Sequence, residues 1–347
     1  MSESRLQSAE LRLRLREVLL RVSAGERVLV ERYQEPIAAL LPIHDYERFR
    51  RFEAQTRHAK ETTVTQTASS PAQQPVRPQR LVITNISGGE GKSTLARELA
   101  FLLHARGYRV ALIDSDPQAS LTKSLGLQEG EFQEAARLAQ HTILPVFEVE
   151  ASPRLGPPLH VRGVDVWVSN DYLYEADVKI SGDLSRQGNL REALDHLDAE
   201  YDFILIDTKP GITPLLNAAV AAAEHILVPV SGDKGMENLD KLARLMRAAR
   251  GFSPAIAVAM FIPNRQRLHT SLSRAVLTDL QASQEAAGSR AVPISHPVRD
   301  SVAIGEAARM RVPLISYAPR ADVTLDMQKV TEQLLAVLGL TVAGVNG

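Results

Sequence analysis

Residues 85–94, "NISGGEGKST", hold the groups that phosphate chemistry needs. Gly88, Gly89 and Gly91 let the backbone curl around phosphate oxygens with no side chain in the way. Lys92 would reach the β and γ phosphates, and the Ser93 hydroxyl would ligate Mg²⁺. Glu90 and Thr94 complete the loop, and a nucleoside triphosphate with Mg²⁺ is the expected ligand pair. The common form of this motif has a glycine six residues before the lysine. Here that position is Ile86, so the match is to a variant form.

Two further segments carry carboxylates at the ends of apolar runs. "VALIDSD" ends in Asp114 and Asp116, and "FILIDTK" carries Asp207. In open parallel sheets ligands bind beyond the carboxyl ends of the strands, so the three acids are expected to converge on the glycine loop. A hydrated Mg²⁺ needs carboxylates to hold its waters, and hydrolysis needs a group that orients the attacking water.

The elements that would position these groups are legible from periodicity. From Arg80 onward, "RLVITNI", "RVALIDSD", "VDVWVS", "FILIDTK", "HILVPVS" and "AIAVAMFI" alternate with helix-patterned stretches such as "KSTLARELAFLLHARG". Continuous apolar strands between amphipathic helices predict an α/β fold with a parallel sheet covered on both faces. Residues 58–79, "HAKETTVTQTASSPAQQPVRPQ", have almost no large apolar side chains and are expected to form a flexible linker. The predicted organisation is therefore an N-terminal domain over 1–57, the linker, and a second domain over 80–347. In the first, a helix is expected from Leu6 to Val22 with Ser8 as its N-cap. Two short strands around a turn at Tyr33 to Glu35 and a second helix from about Asp45 follow.

Composition narrows the classes. The 347 residues are 44% hydrophobic and 23% charged, as in an ordinary globular protein, and the net charge of −1 excludes a globally basic nucleic-acid binder. With no cysteine, disulfides and thiolate metal sites are excluded. The nine histidines show no metal-ligand spacing. The charged N-terminus is no signal-peptide core, and no run approaches the roughly 20 apolar residues of a spanning helix, so a cytoplasmic protein is expected.

Residues 80 to about 340 resemble the ParA/MinD family of deviant Walker-A ATPases, the ParA branch in particular. The resemblance rests on "NISGGEGKST", "DSDPQAS", "YDFILIDTKPG", "ILVPVSGDKGMENL" and "SVAIGEAARMRVPLISYAP". It implies a P-loop NTPase of the SIMIBI type that forms an ATP-dependent homodimer, binds DNA without sequence preference near the nucleoid, and is stimulated by a ParB-like centromere-binding partner. By position, Asp116 would orient water, Asp114 and Asp207 would lie on the Mg²⁺ side, and Asn264 would contact adenine. The chain departs from the family at two points. Ser87 stands where the family carries its signature lysine, and Lys209 replaces a proline two residues after Asp207. Lys209 is therefore a candidate to supply the missing charge. Arg265, Arg267 and Arg299 are candidates for DNA contact.

Residues 4–52 resemble the Phd/YefM antitoxin fold, through Ala24–Gly25–Glu26, Val28, Val30, Arg32, Pro36, Ala38, Leu40, Pro42 and Asp45–Tyr46. That resemblance implies a small α+β dimerisation and operator-binding domain. Residues 1–60 carry 12 Lys and Arg against 9 Asp and Glu, and Arg5, Arg12, Arg14, Arg16 and Arg21 would contact phosphates. The C-terminal "VTEQLLAVLGL" lacks a basic polar face and is expected to pack rather than to lie on a membrane. Two function classes follow. One is an ATP-hydrolysing DNA-partition protein. The other is a nucleotide-sensing DNA-binding regulator with little hydrolysis, which the Ser87 substitution suits.

Overall fold

The computed structural model describes residues 3–24, 26–32, 35–40, 42, 45, 78–128, 133–134, 139–149, 151–232, 235, 238–267, 270–288 and 291–340. The chain divides into two compact units, Met1–Gln73 and Gln74–Gly347.

In the first unit, strand β1 (Glu3–Gln7) leads into helix α1 (Ser8–Ser23), followed by β2 (Arg27–Arg32) and β3 (Glu35–Leu40). The sheet order is β1-β2-β3, with β1 parallel and β3 antiparallel to β2. Val18 and Val22 of α1 bury against Val28, with Leu40 packed beside them. The helix begins at Ser8 rather than Leu6, because Leu6 and Gln7 pair with Val30 and Glu31. That non-local parallel pairing leaves no mark in local periodicity. The helix expected from Asp45 lies outside the described residues apart from Asp45 itself, and the linker does so apart from its last two residues, 78 and 79.

The second unit contains β4 (Gln79–Ile83), α2 (Lys92–Ala105), β5 (Val110–Ser115), α3 (Ser120–Ser124), β6 (Leu159–Val161) and β7 (Val164–Trp167). Next come α4 (Tyr174–Gly182), α5 (Asn189–Asp195), β8 (Phe203–Thr208), α6 (Pro214–Ala221), β9 (His225–Val230), α7 (Leu239–Ala249) and β10 (Ala257–Pro263). Helices α8 (Ser271–Ala287), α9 (Val302–Arg309), α10 (Leu314–Tyr317) and α11 (Asp322–Val337) follow.

Among the described residues, seven strands form one sheet in the order β10-β9-β4-β8-β5-β7-β6. All neighbours are parallel except β6 and β7, which pair antiparallel, so the sheet is mixed rather than wholly parallel. β6 is only three residues long and half-exposed, too short for its pattern to stand out. The central strands are buried on both faces, and their alternate side chains enter two separate cores. Val82, Ile204, Ile206, Ile226 and Val228 face one core, shared with α4 to α8. Leu81, Ile83, Leu112, Leu205 and Leu227 face the other, shared with α2, α3 and α9 to α11. The terminal helix α11 buries Val323, Met327, Val330, Leu334 and Leu335 there, so it packs as expected. Among the described residues, no helix is long and apolar enough to cross a membrane.

The strand order decides the site. β8 lies between β4 and β5, so the loops after these three parallel strands emerge side by side at the carboxyl end of the sheet. Ile83 pairs with Asp207, and Asp114 pairs with Asp207 from the other side.

Candidate nucleotide-binding site

The loop between β4 and α2 is bent by Gly89 (φ 84°) and Gly91 (φ 80°), conformations that L side chains rarely adopt. A Cβ on Gly91 would also collide with the Asn264 side-chain amide. Gly91 caps α2, which has no side-chain cap and no acidic residue in its first turn. Its free N–H groups and dipole therefore favour an anion at the loop.

The loop is held from outside. Asn85 accepts from the Ser87 N–H (3.0 Å) and donates to the Pro229 carbonyl (2.9 Å), tying the loop to the end of β9. Asn264 donates to the Glu90 carbonyl (2.8 Å), and Arg265 to the Gly89 carbonyl (2.9 Å). The Glu90 carboxylate accepts from the Ser231 hydroxyl (2.8 Å) and main-chain N–H, so this side chain braces the loop. Ser87 is buried, and its hydroxyl accepts from Asn238 (2.8 Å).

Lys92 is buried and donates to the carbonyls of Asn85 (3.0 Å) and Ser87 (2.9 Å). Burial lowers its pKa, and the nearby charges of Asp207, Asp116 and Glu90 oppose that fall. The lysine is thus curled over its own loop, where phosphate oxygens could replace the two carbonyls.

The three acids differ sharply. Asp114 is fully buried and accepts from the Thr122 hydroxyl (2.6 Å), the Thr122 N–H (2.9 Å) and the Asp116 N–H (3.1 Å). Burial nonetheless pushes its carboxyl up to about 6. Asp116 accepts from the Gln118 N–H (2.9 Å). Asp207 is fully buried, and neither of its oxygens has a well-formed hydrogen bond. Burial first, then the neighbouring Asp114, raises its pKa well above the carboxylate range; the Ser93 hydroxyl and the Lys92 charge pull the other way.

An orphaned buried carboxylate is costly unless a cation completes it. Asp207 beside Ser93 fits a magnesium ion that keeps most of its waters. No group of three His, Asp or Glu side chains gathers among the described residues to cage a metal with protein ligands alone. Beside the loop, Gly91, Thr94, Asn264 and Arg265 share a cleft of about 720 Å³ with Asp300 to Arg309 at the start of and along α9.

The family model described as AAA domain (AAA_31) matches residues 79–252, half of the chain. The chromosome-partitioning ATPase Soj of Thermus thermophilus is 32% identical over 208 residues, covering 59% of this chain and 76% of that protein. The chain belongs to the ParA/MinD family of deviant Walker-A ATPases. Among solved structures, an ATP complex of McdA from Cyanothece superposes with a TM-score of 0.63 at 22% identity, covering 76% of this chain and 98% of that one. Cobyrinic acid a,c-diamide synthase from Mycobacterium smegmatis, with an ATP analogue and magnesium, gives 0.61 at 21%, covering 76% and 96%. At those identities the likeness is one of fold.

Within this family frame, the structure brings Gly88, Gly89, Gly91, Lys92, Ser93, Thr94, Asp116 and Asp207 to the carboxyl ends of the interior strands β4, β8 and β5, with Asp114 accepting from the Asp116 N–H. Lys209 is ion-paired with Asp177 of α4, so its charge is already engaged. Arg299 is bound to Asp326 (2.6 Å) and Asp322 (2.6 Å), and Arg267 reaches Asp300 (3.2 Å). In the first unit Arg5 lies on β1 and Arg12, Arg14 and Arg16 on α1; of these side chains only Arg14 is described, and it is exposed. Asn85, Thr122, Asp177, Ser231, Asn238 and the α9 wall of the cleft are not singled out by residue type or spacing. Their roles depend on which loops the sheet order brings together.

Proposed function

We propose that this chain is a ParA/Soj-type partition ATPase that hydrolyses Mg-ATP and acts as a homodimer. The orphaned carboxylate of Asp207, beside Ser93 and the α2 N-terminus, carries the reading. Lys92 exchanges its two loop carbonyls for the β and γ phosphates. Ser93 and Asp207 would hold magnesium and its waters, and the bound ion would offset charge on the phosphates. Asp116 orients the attacking water, while Asp114 keeps its loop in place through Thr122. Asn264 and Thr94 face the cleft for the nucleoside.

The family likeness supports non-specific DNA binding and stimulation by a ParB-like partner. Arg299 and Arg267 are already ion-paired, which favours a different cationic face. Lys241, Arg244, Arg247 and Arg250 are exposed on or beside α7 and hold no ion pair among the described residues. The N-terminal unit serves as a Phd/YefM-like dimerisation or operator-binding module.

Ser87 supports a second reading, a nucleotide-sensing regulator with little hydrolysis. A neutral hydroxyl bonded to Asn238 offers no charge to a phosphoryl group, and Lys209 is bound to Asp177. Turnover of Mg-ATP by the full chain, with and without duplex DNA, separates the two. Phosphate release that DNA accelerates and Asp116→Ala abolishes is expected. Tight Mg-ATP binding with no release above the Asp116→Ala background would establish the regulator instead.

A further inference from the structure

The loop after Asp116 and the loop after Asp207 leave different strands, yet α4 reaches both. Asp177, in the first turns of α4, uses both of its oxygens. Oδ1 accepts from the Leu215 N–H (2.8 Å) at the start of α6, and Oδ2 accepts from the Lys209 ammonium. Lys209 and Asp177 are largely buried, with side chains 13% and 21% exposed, so solvent screens this pair less than a surface one. The same ammonium stands 5.4 Å from the centroid of the Tyr174 ring, at cation–π range. The Tyr174 hydroxyl accepts from the Gln118 side-chain amide, and the Gln118 main-chain N–H donates to the Asp116 carboxylate (2.9 Å). A continuous chain of polar contacts thus runs from the backbone two residues beyond Asp207 to the carboxylate of Asp116.

We propose that Lys209, Asp177, Tyr174 and Gln118 form a strap that makes the two loops move as one, with Lys209 and Gln118 as positioning residues. None of the four need touch nucleotide. The strap keeps the metal-side and water-side carboxylates in register, a task that a lysine cannot perform alone because its own side chain is flexible. Charge is essential at position 209, since an apolar replacement would strand Asp177 and release Tyr174.

Amide hydrogen exchange on the nucleotide-free full chain tests the strap directly. Lys209→Met is expected to raise exchange at residues 115–119 by about tenfold, the effect on local opening of removing one charge-assisted hydrogen bond. Lys209→Arg should preserve protection, Tyr174→Phe should loosen the same loop, and α11 should be unaffected in all three. Unchanged exchange at residues 115–119 in Lys209→Met overturns the proposal. So does a rise spread across the whole sheet with a lower melting temperature, which would mark a purely structural pair. A second arm rests on the ATPase reading. Lys209→Met and Gln118→Ala should each lower kcat at constant KM, and the double variant should lose no more than the worse single one. Additive losses contradict the strap. A wild type without turnover would defeat the ATPase reading instead and leave the exchange result to decide the strap.

Discussion

Asp114 and Asp207 are register partners on adjacent strands, both fully buried, yet only Asp114 has well-formed hydrogen bonds to its oxygens. The asymmetry assigns them different work. Asp114 is a brace whose acceptors are used by Thr122 and the Asp116 amide. Asp207 keeps its acceptors open toward Ser93 and the glycine loop, and its proximity to a second carboxylate makes an added cation favourable.

The raised pKa values make the nucleotide-free protein sensitive to pH. A carboxyl whose folded pKa lies above its unfolded value destabilises the fold as pH rises from the unfolded value through the folded one. For Asp114 that window runs from 3.8 to about 6. The loss is on the order of 3 kcal/mol. Because the Asp116 charge adds to burial in raising the Asp114 carboxyl, Asp116→Asn should flatten this fall relative to wild type. Chemical denaturation of both proteins between pH 4 and pH 7 checks it, and parallel curves would refute the coupling.

Gly91→Ala should abolish nucleotide binding and cost about 1–3 kcal/mol of stability, through the left-handed backbone and the collision with Asn264. Adding Asn264→Ala relieves the collision but not the φ strain, so stability should recover only in part. Thermal melts and calorimetry with Mg-ATP read both effects.

Lys92→Met should lower Mg-ATP affinity by roughly 10- to 100-fold, because it removes a charge-assisted hydrogen bond to phosphate. Its cost to the fold should be small, because the lysine is desolvated and its pKa is already lowered by burial. A large drop in melting temperature would show that the two carbonyl bonds of Lys92 are chiefly structural.

DNA binding, if carried by α7, should report its cations through salt. Replacing Lys241, Arg244 and Arg247 with Gln should reduce the slope of log K against log salt by about 0.9 for each phosphate that is no longer neutralised. Arg299→Ala should act differently. It leaves Asp326, which is 2% exposed, with the His296 ring and the residue-299 N–H as its remaining partners, and so should cost about 1–3 kcal/mol of stability. Fluorescence anisotropy across a salt series, beside melts of both variants, separates the two roles. An unchanged slope for the α7 variant would eliminate that face.

The sequence alone determined the glycine loop, its lysine and hydroxyl, the acid-tipped strands and the alternation of strand and helix. These are local properties: which residues can adopt positive φ, which spacing buries one face, which side chain ends a strand. Only the tertiary structure decided that β8 lies between β4 and β5, and with it that Asp207 meets Asp114. The same holds for the parallel pairing of β1 with β2 and the antiparallel edge strand β6. It also determined that Lys209, Arg267 and Arg299 give their charges to Asp177, Asp300 and Asp326. Whether a polar group finds a partner depends on residues far away in the chain, 32 residues for Lys209 and 33 for Arg267. No local pattern encodes a distant partner, so that choice emerges only once the sheet has assembled.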